Sequence, residues 1–200
     1  MSGFFKSNKY ACLLVLVLAL AVFIAFIPNI SYPYPVHIDE WVQIVFGQAL
    51  TDAGDLNYLD PFSGQQLQGN LVSKLEAGFH AFFSIFHSIS GISWLDMARY
   101  LPCLVFVFTL LSVFVLTRRM GFGWEAAFFT CLVPTTVGIM GPAFFIPVAF
   151  CMPFIPLSLF LVFNERSVWS YLILLVFLCF LIITHATSAI IFGYSANREE

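Results

Sequence analysis

The sequence predicts an all-α polytopic transmembrane helical bundle with interfacial helices in its first extracytoplasmic loop. Three observations carry this. Hydrophobic residues make up 60% of the 200-residue chain and charged residues 10%, against about 45–50% and about 25% in soluble domains. Mean hydropathy is +0.94 and 25 residues are Phe. The apolar residues also fall in long runs that leave one extended polar region between them. A soluble chain of this size could not hide so much apolar surface, so the lipid bilayer is its expected partner. With 8 basic against 11 acidic residues, the chain lacks the basic face a nucleic-acid partner needs. The five cysteines all lie inside apolar runs without C-x-x-C spacing. They read as small buried hydrophobes.

The elements follow in order. Residues 1–10 form a cytoplasmic N-terminus, with Lys6 and Lys9 preceding a first span at 11–28. The length of that run and the apolar segments after it favour a signal anchor over a cleaved leader. The loop at 29–97 holds seven acids (Asp39, Glu40, Asp52, Asp55, Asp60, Glu76 and Asp96) and one base, Lys74. Amphipathic helices are expected at about 39–53 and 74–90. The first starts at a cap supplied by Asp39 or a neighbour, and Trp41, Val42, Val45, Phe46, Ala49 and Leu50 form its apolar stripe. In the second, Phe79, Phe82, Phe83, Phe86 and Ile89 share one face, with Glu76, His80, Ser84, His87 and Ser88 towards the other. That segment is short of the ~20 residues a span needs, and its polar stripe suits an interfacial or re-entrant helix. Leaving it out of the span count also puts Arg118 and Arg119 in the cytoplasm.

Further spans are expected at 98–117, 122–140 and 142–163, the last interrupted by Pro147, Pro153 and Pro156 and so packed against protein. The final run, 168–194, is either one helix or a fifth span broken near His185 and followed by a short sixth. A polar tail occupies 195–200. The chain is thus a multi-pass cell-membrane protein with its N-terminus in the cytoplasm.

The candidate chemistry lies mostly in the loop. Asp39 and Glu40 are either first-turn acids favoured by the helix dipole or a carboxylate site at the membrane surface. Lys74 and Arg99 frame an acidic region that could hold the phosphate of a lipid-linked donor. Arg99 could equally pair with Asp96 three residues earlier. His80 and His87 are seven apart and lack the i, i+4 spacing of a metal-binding pair. His185, deep in an apolar run, is either functional or marks the outer end of its helix. No metal site is expected. A divalent metal is not indicated by the spacing, and the cofactors stay open. There is no Ser/His/Asp arrangement, phosphate-binding Gly loop or zinc-ligand spacing.

The order of these features resembles the N-terminal part of the GT-C membrane glycosyltransferases, nearest to the protein O-mannosyltransferases and lipid A aminoarabinose transferases. The resemblance rests on His37-Ile38-Asp39-Glu40-Trp41 after the first span, then Ala53-Gly54-Asp55-Leu56. Lys74-Leu75-Glu76 opens the Phe-rich helix, Ala98-Arg99-Tyr100-Leu101-Pro102 opens a span, and Thr117-Arg118-Arg119-Met120-Gly121 closes it. It implies transfer of a sugar from a polyprenyl-phosphate donor to an acceptor, which the residues do not specify, on the extracytoplasmic side. Asp39 would orient or deprotonate the acceptor hydroxyl, with Glu40 supporting it. Lys74 and Arg99 would bind the donor phosphate. Apart from the resemblance, His37, Glu76, His80 and His185 are candidate supporting residues. Many members have Lys-Pro-Pro where this chain has Lys74-Leu75-Glu76. Beside the longer members it resembles, the chain is expected to be a truncated or partial member, or a short paralogue working with a partner chain that completes the bundle. The rival expectation is a non-catalytic integral membrane subunit or transporter fragment.

Overall fold

The computed structural model describes residues 2–30, 32–64, 76–133, 144–164 and 167–190. All regular elements there are helices. α1 runs Ser2–Ile30, taking most of the expected N-terminal tail into the helix that carries the first apolar run. α2 runs Ile38–Ala53 and is capped by His37, whose Nδ1 accepts from Asp39 N at 3.2 Å. Gly54 ends it at φ 73°, a left-handed conformation that costs glycine little, and its N–H returns to the Leu50 carbonyl. α3 spans Ala77–Ser90 and stops in the same way at Gly91.

α4 runs Trp94–Arg118, one turn earlier than the expected start at 98. The cause is a reciprocal cap. Ser93 Oγ accepts from Asp96 N at 3.1 Å and donates to Asp96 Oδ2 at 2.6 Å. α5 covers Gly123–Leu132, after which Val133 turns extended, as a residue before proline does. The rest of the expected span at 122–140 lies outside the described residues. Within the Pro-rich segment 142–163 the chain makes two pieces, α6 (Pro147–Cys151) and α7 (Phe154–Asn164), separated at Met152 and Pro153. α8 is Val168–Thr184. His185 is extended (φ −159°, ψ 92°), and helix resumes from 186 to 190.

α4 is the central helix, packing against α1, α5 and α7, while α2 pairs with α3, and α8 packs on α7 and α3. Val17, Ala21 and Ala25 of α1, Phe106 and Leu110 of α4, and Ala127 and Cys131 of α5 make one apolar core. A second core gathers Ile44, Phe79, Phe83, Trp94, Met97 and Phe145. Cys131 and Cys151 are buried, but Cys12 and Cys179 lie on the outside, so burial does not hold for all five cysteines.

One described helix, α4, is long and apolar enough to cross a membrane, and Tyr10–Phe26, Pro147–Phe163 and Val168–Thr184 are shorter apolar stretches. The exterior is apolar over wide areas, with Ile89 81% and Trp169 75% exposed. The buried set, by contrast, includes Glu40, Gln43, His80, Ser84, Thr109, Ser112, Ser158 and Thr184.

The two loop helices show this inversion directly. The face α2 buries is Glu40, Gln43, Ile44, Gly47 and Leu50, rotated away from the apolar stripe of which only Leu50 is fully buried. α3 buries His80 and Ser84 beside Phe79 and Phe83, and leaves Phe82, Ile85 and Ile89 outside. Polar side chains can pair between helices only where the helices meet, so hydrogen bonding decides which face turns inward.

Candidate functional site

The site is built from the start of α2 downwards. Asp39 and Glu40 are adjacent in sequence and diverge in space. Glu40 is 3% exposed and its carboxylate accepts three backbone N–H groups. Oε2 takes Val36 N at 3.0 Å and His37 N at 3.1 Å, and Oε1 takes Phe145 N at 2.8 Å, 105 residues away. Burial pushes its carboxyl above the usual range, against the opposing pull of those N–H groups and of nearby His37. Glu40 therefore clamps the helix start to the segment leading into α6.

Asp39 remains accessible, its side chain 40% exposed, with Oδ2 3.3 Å from His37 Nδ1. A bare Nδ1 caps the helix; a protonated one would turn to this carboxylate. Asp39 sits in the first turn of α2, where the helix dipole favours a negative charge. Beside it, Tyr34 stacks with Trp41 and meets Tyr32 edge-on, all three exposed.

One turn further along α2 lies a cluster that only the fold assembles. Gln43 Nε2 donates to Glu76 Oε2 at 3.0 Å, and Gln43 Oε1 lies 2.6 Å from His80 Nε2. Two turns on, Thr51 Oγ1 meets Ser84 Oγ at 2.8 Å. The pairs 43–76 and 51–84 have the same separation of 33 residues, a constant register that shows the helices run parallel. His80 is 2% exposed and stacks on Phe46 at 5.5 Å. Burial drives its pKa down to about 4.

Glu76 stands at the entrance to α3, in the electrostatic reach of Cys151 on α6 and His185 at the end of α8. Gly78 permits that junction. A Cβ there would lie 2.7 Å from the Ile183 carbonyl oxygen. His185 Nδ1 is fixed against Ser188 Oγ at 2.8 Å.

Of the residues chosen from sequence, the fold thus brings Glu76, His80 and His185 to one junction. Glu40 lies one helical turn before Gln43, and His37 and Asp39 lie at the helix cap. Arg99 is partly buried in the second turn of α4, its guanidinium 5.4 Å from the Tyr100 ring, and Tyr100 stacks on Phe26 of α1. Lys74 lies outside the described residues. The sequence reading missed Gln43 and Thr51. Their signal was the spacing of Glu40, Gln43, Gly47 and Thr51, which puts small and polar residues on one helical strip. Among the described residues no group of three or more His, Cys, Asp or Glu side chains could hold a metal ion.

Comparison with protein-family models, curated proteins and solved structures returns no match.

Proposed function

We propose that this chain is a multi-pass membrane protein of the glycosyltransferase type, transferring a sugar from a polyprenyl-phosphate donor on the extracytoplasmic side. The apolar exterior around a hydrogen-bonded polar interior supports a lipid setting, as does the exposed Tyr32, Tyr34 and Trp41 cluster, which suits a membrane–water interface. In that setting α2 and α3 lie at the outer surface and Arg118 and Arg119 in the cytoplasm.

The observation that carries the chemistry is the division of labour at the start of α2. Glu40 is fully committed to backbone N–H groups, and that clamp presents Asp39 to solvent at a rigid helix end. In the transfer, the acceptor oxygen forms a bond to the anomeric carbon and its proton passes to the Asp39 carboxylate. The bond from that carbon to the phosphate oxygen breaks, and polyprenyl phosphate leaves with the electron pair. Arg99 and Lys74 would stabilise the leaving phosphate.

Reconstitution with a radiolabelled polyprenyl-phosphate sugar tests this. The wild-type chain should transfer label, and Asp39→Asn should lose about 100-fold or more, the scale of a general base. No transfer and no donor binding by either would overturn the reading. The rival, a non-catalytic membrane subunit, draws support from one observation: Glu40 is taken up by backbone N–H groups, and Gln43 bonds both Glu76 and His80, so these polar groups serve to join helices. Topology has its own check. A cysteine placed at Arg118 that reacts only from outside would overturn the proposed orientation.

A further inference from the structure

The hydrogen bonds among His80, Gln43 and Glu76 can run in one direction only. An ionised carboxylate accepts and cannot donate, so the group facing Glu76 Oε2 at 3.0 Å must be the Gln43 NH2. The opposite amide orientation would set two acceptors against each other. Gln43 Oε1 then faces His80 Nε2 at 2.6 Å, so His80 carries its proton on Nε2 and donates. Its other nitrogen, Nδ1, is buried and has no hydrogen-bond partner among the described residues.

Nothing in packing requires this arrangement. Phe or Leu would fill the same space without desolvating an amide and an imidazole, and polar groups buried this deeply are costly unless paired. The chain of donors ends on a partly buried carboxylate whose Oε1 has no partner among the described residues. His185, its ring held by Ser188 at the end of α8, lies within electrostatic reach of that carboxylate. A partly buried carboxylate held through one oxygen can accept from a hydroxyl group.

We propose that Gln43 and His80 are positioning residues that hold the Glu76 carboxylate towards a hydroxyl of the acceptor, at the junction of α2, α3 and the end of α8. This rests on the glycosyl-transfer reading. Among the described residues, the titratable groups facing Glu76 are His80, reached through Gln43, His185 at the end of α8 and Cys151 on α6.

The test uses the whole chain in lipid nanodiscs. Nitrogen-15 spectra of the unmodified protein at pH 7 should show His80 neutral with its proton on Nε2; the other tautomer overturns the proposal. Gln43→Leu and His80→Leu should each raise the acceptor KM about tenfold, and His80→Gln, which keeps a donor for Gln43 Oε1, should restore most of the wild-type value. An unchanged acceptor KM in a folded, active Gln43→Leu protein overturns the positioning role. In the transfer assay Glu76→Gln should raise the acceptor KM about tenfold while leaving donor binding unchanged. If the wild-type chain transfers no label yet His80 carries its proton on Nε2 and changes tautomer in Gln43→Leu, the transfer reading fails while the hydrogen-bonded chain to Glu76 stands. Unchanged acceptor KM in an active Glu76→Gln protein overturns the hydroxyl contact.

Discussion

The seam where α1, α4 and α5 meet and the seam between α2 and α3 face the same apolar exterior, yet they are built differently. The first uses shape. Ala21 and Ala25, one helical turn apart, are completely buried and let α1 lie close to Phe106 and Leu110. Its hydroxyls serve their own helix: Thr109 bonds the Val105 carbonyl and Ser112 the Phe108 carbonyl. The second uses direction. Gln43, Glu76 and His80, then Thr51 and Ser84, bond across the interface and hold two parallel helices in one register. Small-residue packing tolerates sliding by a fraction of a turn, whereas a hydrogen-bonded register does not. Directional bonding therefore belongs where side chains must be held in place, which is where the candidate chemistry lies.

Four measurements would break or sharpen that contrast. The largest effect is expected at Glu40, since Glu40→Ala leaves the buried Phe145 N–H and the part-buried Val36 and His37 N–H groups without an acceptor. Thermal unfolding in detergent should show a loss of about 3–5 kcal/mol; a loss below about 1 kcal/mol would show that the clamp is ornamental. In the apolar seam, Phe106→Ala should cost about 3–4 kcal/mol through lost burial and a residual cavity, with no dependence on pH.

The polar seam should depend on pH. The unfolded chain protonates His80 near its ordinary 6.5, the folded chain only near 4. The unfolded state therefore gains the proton first, and stability falls as pH drops from 6.5 towards 4, by about 3 kcal/mol in all. Glu40, with its carboxyl shifted upward, contributes in the opposite sense, so comparing wild type with His80→Gln isolates the histidine. Equal acid sensitivity of the two proteins would contradict the assignment. The smallest effect is expected at Ser112→Ala, within about 0.5 kcal/mol of wild type, because that hydroxyl only back-bonds its own helix.

The amphipathic helix at Ile38–Ala53 was legible almost to the residue, because its cap and its αL glycine are local signals. The break at Met152 and Pro153 was foreshadowed by the prolines around it. Glu40 was legible as a candidate, but its role was not. Its contact with Phe145 N spans 105 residues and leaves no mark in local sequence. Gln43 was overlooked for a related reason: a single Gln in an apolar stretch reads as a surface residue until a partner is seen.

The sequence by itself determined that the chain is helical, that most of it is apolar, and that its acids concentrate between the first two apolar runs. Those properties follow from composition, from turn and cap residues, and from periodicity, all of which act over a few neighbouring positions. The tertiary structure decided which face of each loop helix turns inward. In an aqueous protein the apolar stripe marks the interior, because water rejects it. With apolar side chains on both the inside and the outside, as here, that rule loses its force. The inward face is then set by whichever polar groups find partners, and a partner 33 or 105 residues away is settled only by the fold.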